Sequence, residues 1–206
     1  GINSLIFGCG SDANNFAFIG FSSDNTIDVR NYQGGSYTYS FKTTQLFRDV
    51  SAWYHLVLAA DMANSTATDR IKLYVNGARV TNFSSAPEPS TSDLLTNSDI
   101  QHVIGCGYYN DGSGLNAFLD GYLAEVNLID GTALTPASFG ETKSGIWIPK
   151  NTSGLTFGTN GFRLEFKQTG TSQNASGIGA DTSGETNHFA LTNLVASNVV
   201  LDSPTN

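Results

Sequence analysis

The run Trp53-Tyr54-His55-Leu56-Val57-Leu58-Ala59-Ala60-Asp61, a polar loop, and the run Arg70-Ile71-Lys72-Leu73-Tyr74-Val75-Asn76-Gly77 constrain this chain more than any other part of it. Both runs alternate with the period of two that a β-strand imposes. Trp53, His55, Val57 and Ala59 point one way and Tyr54, Leu56 and Leu58 the other, the pattern of a strand buried on both sides. In the second run Ile71, Leu73 and Val75 share one face, and Arg70, Lys72, Tyr74 and Asn76 share a wetter one. Asn76-Gly77 predicts a type I′ turn, which needs positive φ at both central residues. The chain returns through Ala78–Phe83, so the segment reads as two consecutive hairpins.

The rest of the text is of the same kind. Gly, Ser, Thr and Asn are abundant, Lys and Arg together number only 10, and no helical heptad is visible. That is the usage of an all-β protein with short strands and many turns. Residues 5–22 read as two strands around a Cys9–Asn15 loop. Ile27–Tyr32 and Tyr37–Thr43 pair about Gly34-Gly35, with Tyr37, Tyr39 and Phe41 expected on one face. Thr135-Pro136 predicts one short helical turn over 135–140, from an N-cap hydroxyl followed by proline. At 206 residues the chain can bury one large sandwich, or a sandwich plus an appendage. The formal net charge of −8 disfavours electrostatic capture of nucleic acid or of an anionic membrane. With no run of eighteen apolar residues, no membrane insertion by a helix is expected.

The wording "W-Y-H-hydrophobic … R-hydrophobic-K-L-Y-V-N-G" resembles the laminin G-like group of concanavalin A-type sandwiches. A second block agrees in order and spacing: Ile104-Gly105, then Phe118–Asp130 (FLDGYLAEVNLID), then Ala133-Leu134-Thr135-Pro136. The later stretches 139–150, 158–166 and 179–189 resemble a narrower branch found in tailed-phage tail-fibre and virion structural proteins. The resemblance implies an antiparallel two-sheet jelly-roll sandwich over residues 1–149. Its first strands are expected before Gly1. Residues 150–206 are expected to form a strand-rich C-terminal extension, packed on the sandwich or on a neighbouring subunit. The function implied is a non-enzymatic virion surface protein of tail-fibre, capsid-fibre or decoration type. Such a protein is expected on the virion exterior, as a homo-oligomer among other virion subunits, attaching to host surface glycan. A secreted bacterial lectin or adhesin module is the alternative.

The same resemblance directs attention to rim loops. Laminin G-like and lectin sandwiches bind sugars or Ca²⁺ there, through acidic and amide groups beside aromatic rings. The candidates are Asp12 and Asn14 in one loop and Tyr108, Tyr109, Asn110 and Asp111 in another. Turn formation alone explains the same Asn, Asp and Gly residues more simply. The cysteines sit in matching contexts, Gly8-Cys9-Gly10 and Gly105-Cys106-Gly107. The family places these two strands side by side, leaving a Cys9–Cys106 disulfide and two small buried thiols as alternatives.

Catalysis is not expected. Laminarinase-type glucanases share the jelly roll and carry E-x-D-x-x-E on one strand. Here the nearest text is Glu125-Val126-Asn127-Leu128-Ile129-Asp130, which lacks the middle aspartate and shortens the last acid. Glu125 and Asp130, an odd number apart, point to opposite faces of an unbulged strand. Asp120 and Asp130 share a face but lie about 33 Å apart when extended. Tyr122, Ala124, Val126 and Leu128 are expected to pack inward, with Glu125 and Asn127 on the other face. His55 and His102 read as hydrogen-bonded strand residues, and no nucleophile elbow or zinc spacing occurs.

Overall fold

A computed structural model describes residues 3–85, 89, 91, 94–108, 114–201 and 204. Its strands are β1 (Ser4–Asp12), β2 (Asn15–Phe21), β3 (Ile27–Gln33), β4 (Ser36–Lys42), β5 (Leu56–Ala60), β6 (Ile71–Val75) and β7 (Ala78–Arg79). They continue as β8 (Gln101–Ile104), β9 (Gly107–Tyr108), β10 (Leu115–Asn116), β11 (Val126–Leu128), β12 (Gly140–Lys143), β13 (Ile146–Pro149) and β14 (Phe162–Leu164). The helical elements among the described residues are 3₁₀ turns; the one at Pro136–Ser138 lies where Thr135-Pro136 predicted it, although the Thr135 hydroxyl caps nothing. The chain divides into two compact units, residues 1–121 and 122–206. The expected boundary lay at 149.

The first unit is an antiparallel sandwich. A five-stranded sheet, in the order β4-β3-β2-β1-β8, presents one face to a three-stranded sheet, β5-β6-β7. Between them lie Ile27, Val29, Tyr39 and Phe41 from one sheet and Ile71, Leu73 and Val75 from the other, with Phe47 alongside. Each such fully buried side chain contributes about 1.5–3 kcal/mol of transfer free energy. Leu56, Leu58 and Ala60 add the inward face of β5. The Asn76-Gly77 turn has φ of 48° and 78°, as type I′ requires, and Gly34-Gly35 has 60° and 83°. The opening motif is therefore the second sheet of the sandwich. Trp53–His55, however, lie ahead of β5, and none of the β5 residues is fully buried.

Two bulges redirect side chains. Between Asn31 and Tyr32 the β3–β4 register slips, so that Tyr32 faces Tyr37 while Asn31 faces Tyr39. Tyr39 and Phe41 turn into the core, but Tyr37 emerges on the opposite face, 47% exposed, which corrects the expected common face. The second bulge, between Leu5 and Phe7, puts Leu5 on the same side as Gly8 and Gly10. There it packs with Phe16 and Phe18, away from the inter-sheet core.

The second unit is sparser in regular structure. β11 pairs with β14, matching Val126 with Leu164 and Leu128 with Phe162. β12 and β13 form a hairpin closed by Ser144-Gly145. Phe157, Phe162, Leu164, Ile178 and Ala180 are buried, and Phe189 packs edge-on against Phe162. Tyr122 is not inward as expected but largely exposed.

Candidate functional site

β1 runs on through Asp12, so the expected Cys9–Asn15 loop is a tight hairpin tip at Ala13-Asn14. Asp12 closes that tip. Its carboxylate accepts the Asn14 N–H at 2.7 Å, both oxygens accept the Asn15 amide at 3.1 Å, and the Ser11 hydroxyl adds a third donor. These bonds, the Asn14 N–H foremost, hold the Asp12 carboxyl below its ordinary range. The neighbouring β3–β4 tip is tied on. Gly34 N–H donates to Asn15 Oδ1 and Gly35 N–H to the Asn14 carbonyl.

β9 crosses the same end of the sheet. The Tyr108 ring lies against Gly10, where an added Cβ would come within 2.7 Å of it. Its hydroxyl reaches the Ser11 carbonyl at 3.5 Å. The expected sites Asp12, Asn14 and Tyr108 are thus brought to one end of the sandwich. Tyr109, Asn110 and Asp111 lie outside the described residues. Among the described residues no three acidic, His or Cys groups converge as metal ligands. A Ca²⁺ ion needs six to eight oxygens free of competing donors, and both Asp12 oxygens already face N–H and O–H groups of their own hairpin. The described donor set does not fit calcium.

A second polar group stands on the outer face of the five-stranded sheet, and the sequence reading did not single it out. Arg30 grips Asp28 with both arms of its fork, at 2.9 and 2.6 Å, and its third nitrogen donates to the Tyr37 hydroxyl. The guanidinium lies over Phe18 and beside Tyr37, with ring centroids at 5.4 and 5.9 Å. Tyr32 joins the row, 4.8 Å from Tyr37 and 5.1 Å from Phe16. Amphipathic rings beside fixed polar groups are what a sugar's apolar face and hydroxyls use. The alternation Asp28-Val29-Arg30-Asn31-Tyr32 carried the signal, but the slip that delivers Tyr37 has no mark in the text.

The carboxylates weighed for hydrolysis are engaged elsewhere. Glu125 accepts from Asn127, from the Thr152 hydroxyl and from Arg163. Asp130 accepts the Asn160 backbone and side-chain N–H groups. Glu125 and Asn127 share a side, as expected, and that side holds a charge cluster. Arg163 sits 2.8 Å from Glu165 and donates to Thr152, while Asp181 accepts from the backbone of Arg163, Ser183 and Asn187.

His55, His102 and both cysteines lie within the fold of the first unit. His102 in β8 has its ring nitrogens 2.8 and 3.1 Å from the Ile100 and Thr96 carbonyls. His55 lies just outside a strand, its N–H bonded to Asn76. β1 and β8 are neighbours, as the resemblance implied, with Cys9 opposite His102. No disulfide forms: Cys106 lies over the face of β1 that carries Gly8, and the next residue, Cys9, points to the other. Both are buried free thiols. Burial pushes the Cys9 thiol up to about 12 and Cys106 in the same direction.

Comparison with known proteins gives one match. The sequence profile of the concanavalin A-like lectin/glucanases superfamily, of laminin G type, covers residues 2–139. No curated protein and no solved structure matches the chain.

Proposed function

We propose, from the premise that this chain belongs to the concanavalin A-like lectin/glucanases superfamily, that it is a non-enzymatic carbohydrate-recognising surface domain. Its setting in this reading is the exterior of a virion, as a tail-fibre, capsid-fibre or decoration protein. It contacts host glycan, copies of itself and other virion subunits, but not nucleic acid. The observation that carries the recognition reading is the Tyr108 ring laid on Gly10 beside the bonded Asp12 hairpin end. An aromatic plane beside a hairpin tip whose polar groups are already held in place is the chemistry by which a sugar's apolar face is taken up without large ordering cost. The row Tyr32–Tyr37–Arg30 is a second surface of the same character. The virion setting draws on the wording of 139–150, 158–166 and 179–189 and on the acidic composition. A secreted adhesin module with the same rim is the alternative.

What weighs against hydrolysis is the binding of Glu125 by Thr152 and Arg163, which leaves it acting as a structural anion. The test is a glycan array probed with the chain, with and without EDTA, and repeated with Tyr108→Ala and Tyr37→Ala. Binding that survives EDTA and is lost in one variant is expected. An array that is blank throughout overturns the recognition reading. Release of reducing sugar that Glu125→Gln abolishes overturns the non-enzymatic one.

A further inference from the structure

The hairpin of β12 and β13 pairs with nothing else among the described residues. Its Ser144-Gly145 loop has φ of 52° and 81°, a two-residue type I′ turn, so Lys143 and Ile146 bond each other across the ladder. Bonded and non-bonded pairs alternate along an antiparallel ladder. Lys150 N–H donating to the Phe139 carbonyl at 2.8 Å confirms the phase, because 139, 141 and 143 then all bond inward. Thr142 therefore turns its own N–H and C=O outward, at the free edge of β12. Glu141, Thr142 and Lys143 are all exposed, and Ile146, on the same face as Glu141 and Lys143, is 62% exposed. An edge unpaired among the described residues, with an outward donor and acceptor, is a template for another strand.

We infer that this edge takes the edge of a second copy of the chain. The sequence of β12 selects that occupant. In an antiparallel pairing about a two-fold axis at Thr142, the two Thr142 residues exchange both of their outward bonds. Glu141 then stands opposite Lys143 of the partner subunit, and Lys143 opposite Glu141 of the partner subunit. Both pairs fall at the close, non-hydrogen-bonded spacing, where opposite charges stabilise and like charges repel. The two hairpins become one four-stranded sheet and lose their open inner edges. The inference deepens the reading of the chain as an assembling surface protein; glycan binding and self-association are separate readouts, so either can fail alone.

Sedimentation of the whole chain from micromolar to millimolar concentration tests this. Dimers are expected, with Lys143→Glu weakening association about tenfold or more, since it turns both cross-strand attractions into carboxylate–carboxylate repulsions. The double exchange Glu141→Lys/Lys143→Glu restores association to within about threefold, because the pairs are regenerated in reverse. Thr142→Pro, which deletes the outward donor, abolishes it. A chain that stays monomeric throughout overturns the proposal. So does association that both Lys143→Glu and Thr142→Pro leave unchanged, or a double exchange that fails to restore it. Thermal melts establish that each variant is folded. Should Thr142→Pro melt early, the charge exchange, which leaves every backbone donor in place, decides.

Discussion

Arg163 and Glu165 are held 2.8 Å apart with only 8% and 13% of their side chains exposed. Two residues apart in an extended run, they project from one face. Around them Thr152, Thr182 and Glu125 complete the bonds of the guanidinium. Removing one partner strands the other. Arg163→Met is expected to cost about 3–5 kcal/mol, and Arg163→Met/Glu165→Leu clearly less. The double change also removes the buried Glu165 anion and leaves without its cation only Glu125, which is 29% exposed. Urea unfolding followed by circular dichroism measures both; a double variant worse than the single would contradict the account.

Acid should destabilise the second unit. Burial alone would raise the Asp181 carboxyl, but the N–H groups of Arg163, Ser183 and Asn187 outweigh it and hold it below its ordinary range. Glu165 is likewise raised by burial and lowered further by Lys167, Thr182 and Arg163. A depressed folded value means that the stabilisation is complete above the unfolded carboxyl values, about 4, and is lost as pH falls through the folded ones. Melting temperatures are expected to drop steeply below about pH 4, and Asp181→Asn to be less stable at neutral pH with a flatter acid limb. An unchanged acid limb in that variant would count against Asp181 as the titrating group.

Gly20→Ala is expected to destabilise by about 1–3 kcal/mol, an overpacking cost. A Cβ there would sit 2.6 Å from the Leu5 Cα and the Ser4 carbonyl, which belong to the backbone of the neighbouring strand. Gly10→Ala meets the Tyr108 side chain, its Cδ1 at 2.7 Å and its Cβ and Cγ at 2.9 Å. These contacts are less close than those at Gly20, and the ring can turn, although the Cβ moves only with its strand. Its stability loss should be smaller, while its glycan affinity should fall. Melting curves together with array binding separate the two effects.

The Cys9 thiol, pushed up to about 12 by burial, is about one part in ten thousand thiolate at pH 8. Ellman's reagent should leave it untouched in the native chain and label it at the rate of global unfolding. Prompt labelling would show that β1 opens locally.

Much of the sandwich was legible because its signals are local. Ile71, Leu73 and Val75 alternate in the text and are buried in the structure, and Asn76-Gly77 and Gly34-Gly35 adopt the turns their residues demand. The slips near Ile6 and Thr38 were not legible, since one extra residue in a strand leaves no compositional trace yet turns Leu5 and Tyr37 to new faces. The rim was half legible. Asp12 and Asn14, named as ligand candidates, stand at a polar turn, the competing reading of the same residues; that Asp12 is bonded by its own hairpin follows from three-dimensional register. The Arg163 cluster was missed for a similar reason. Its members come from four separate segments, and only the pairing of β11 with β14 brings Glu125 to Arg163.

That pairing decides where the protein can be cut. The family-matched segment stops at residue 139, and Val126–Leu128 finds its partner strand at Phe162–Leu164, beyond that limit. A recombinant fragment trimmed to the match would carry β11 with a bare edge and Glu125 without its cation. Such a fragment is expected to aggregate more readily than one that extends past Asn187, whose N–H and side chain fasten Asp181 and Gly161.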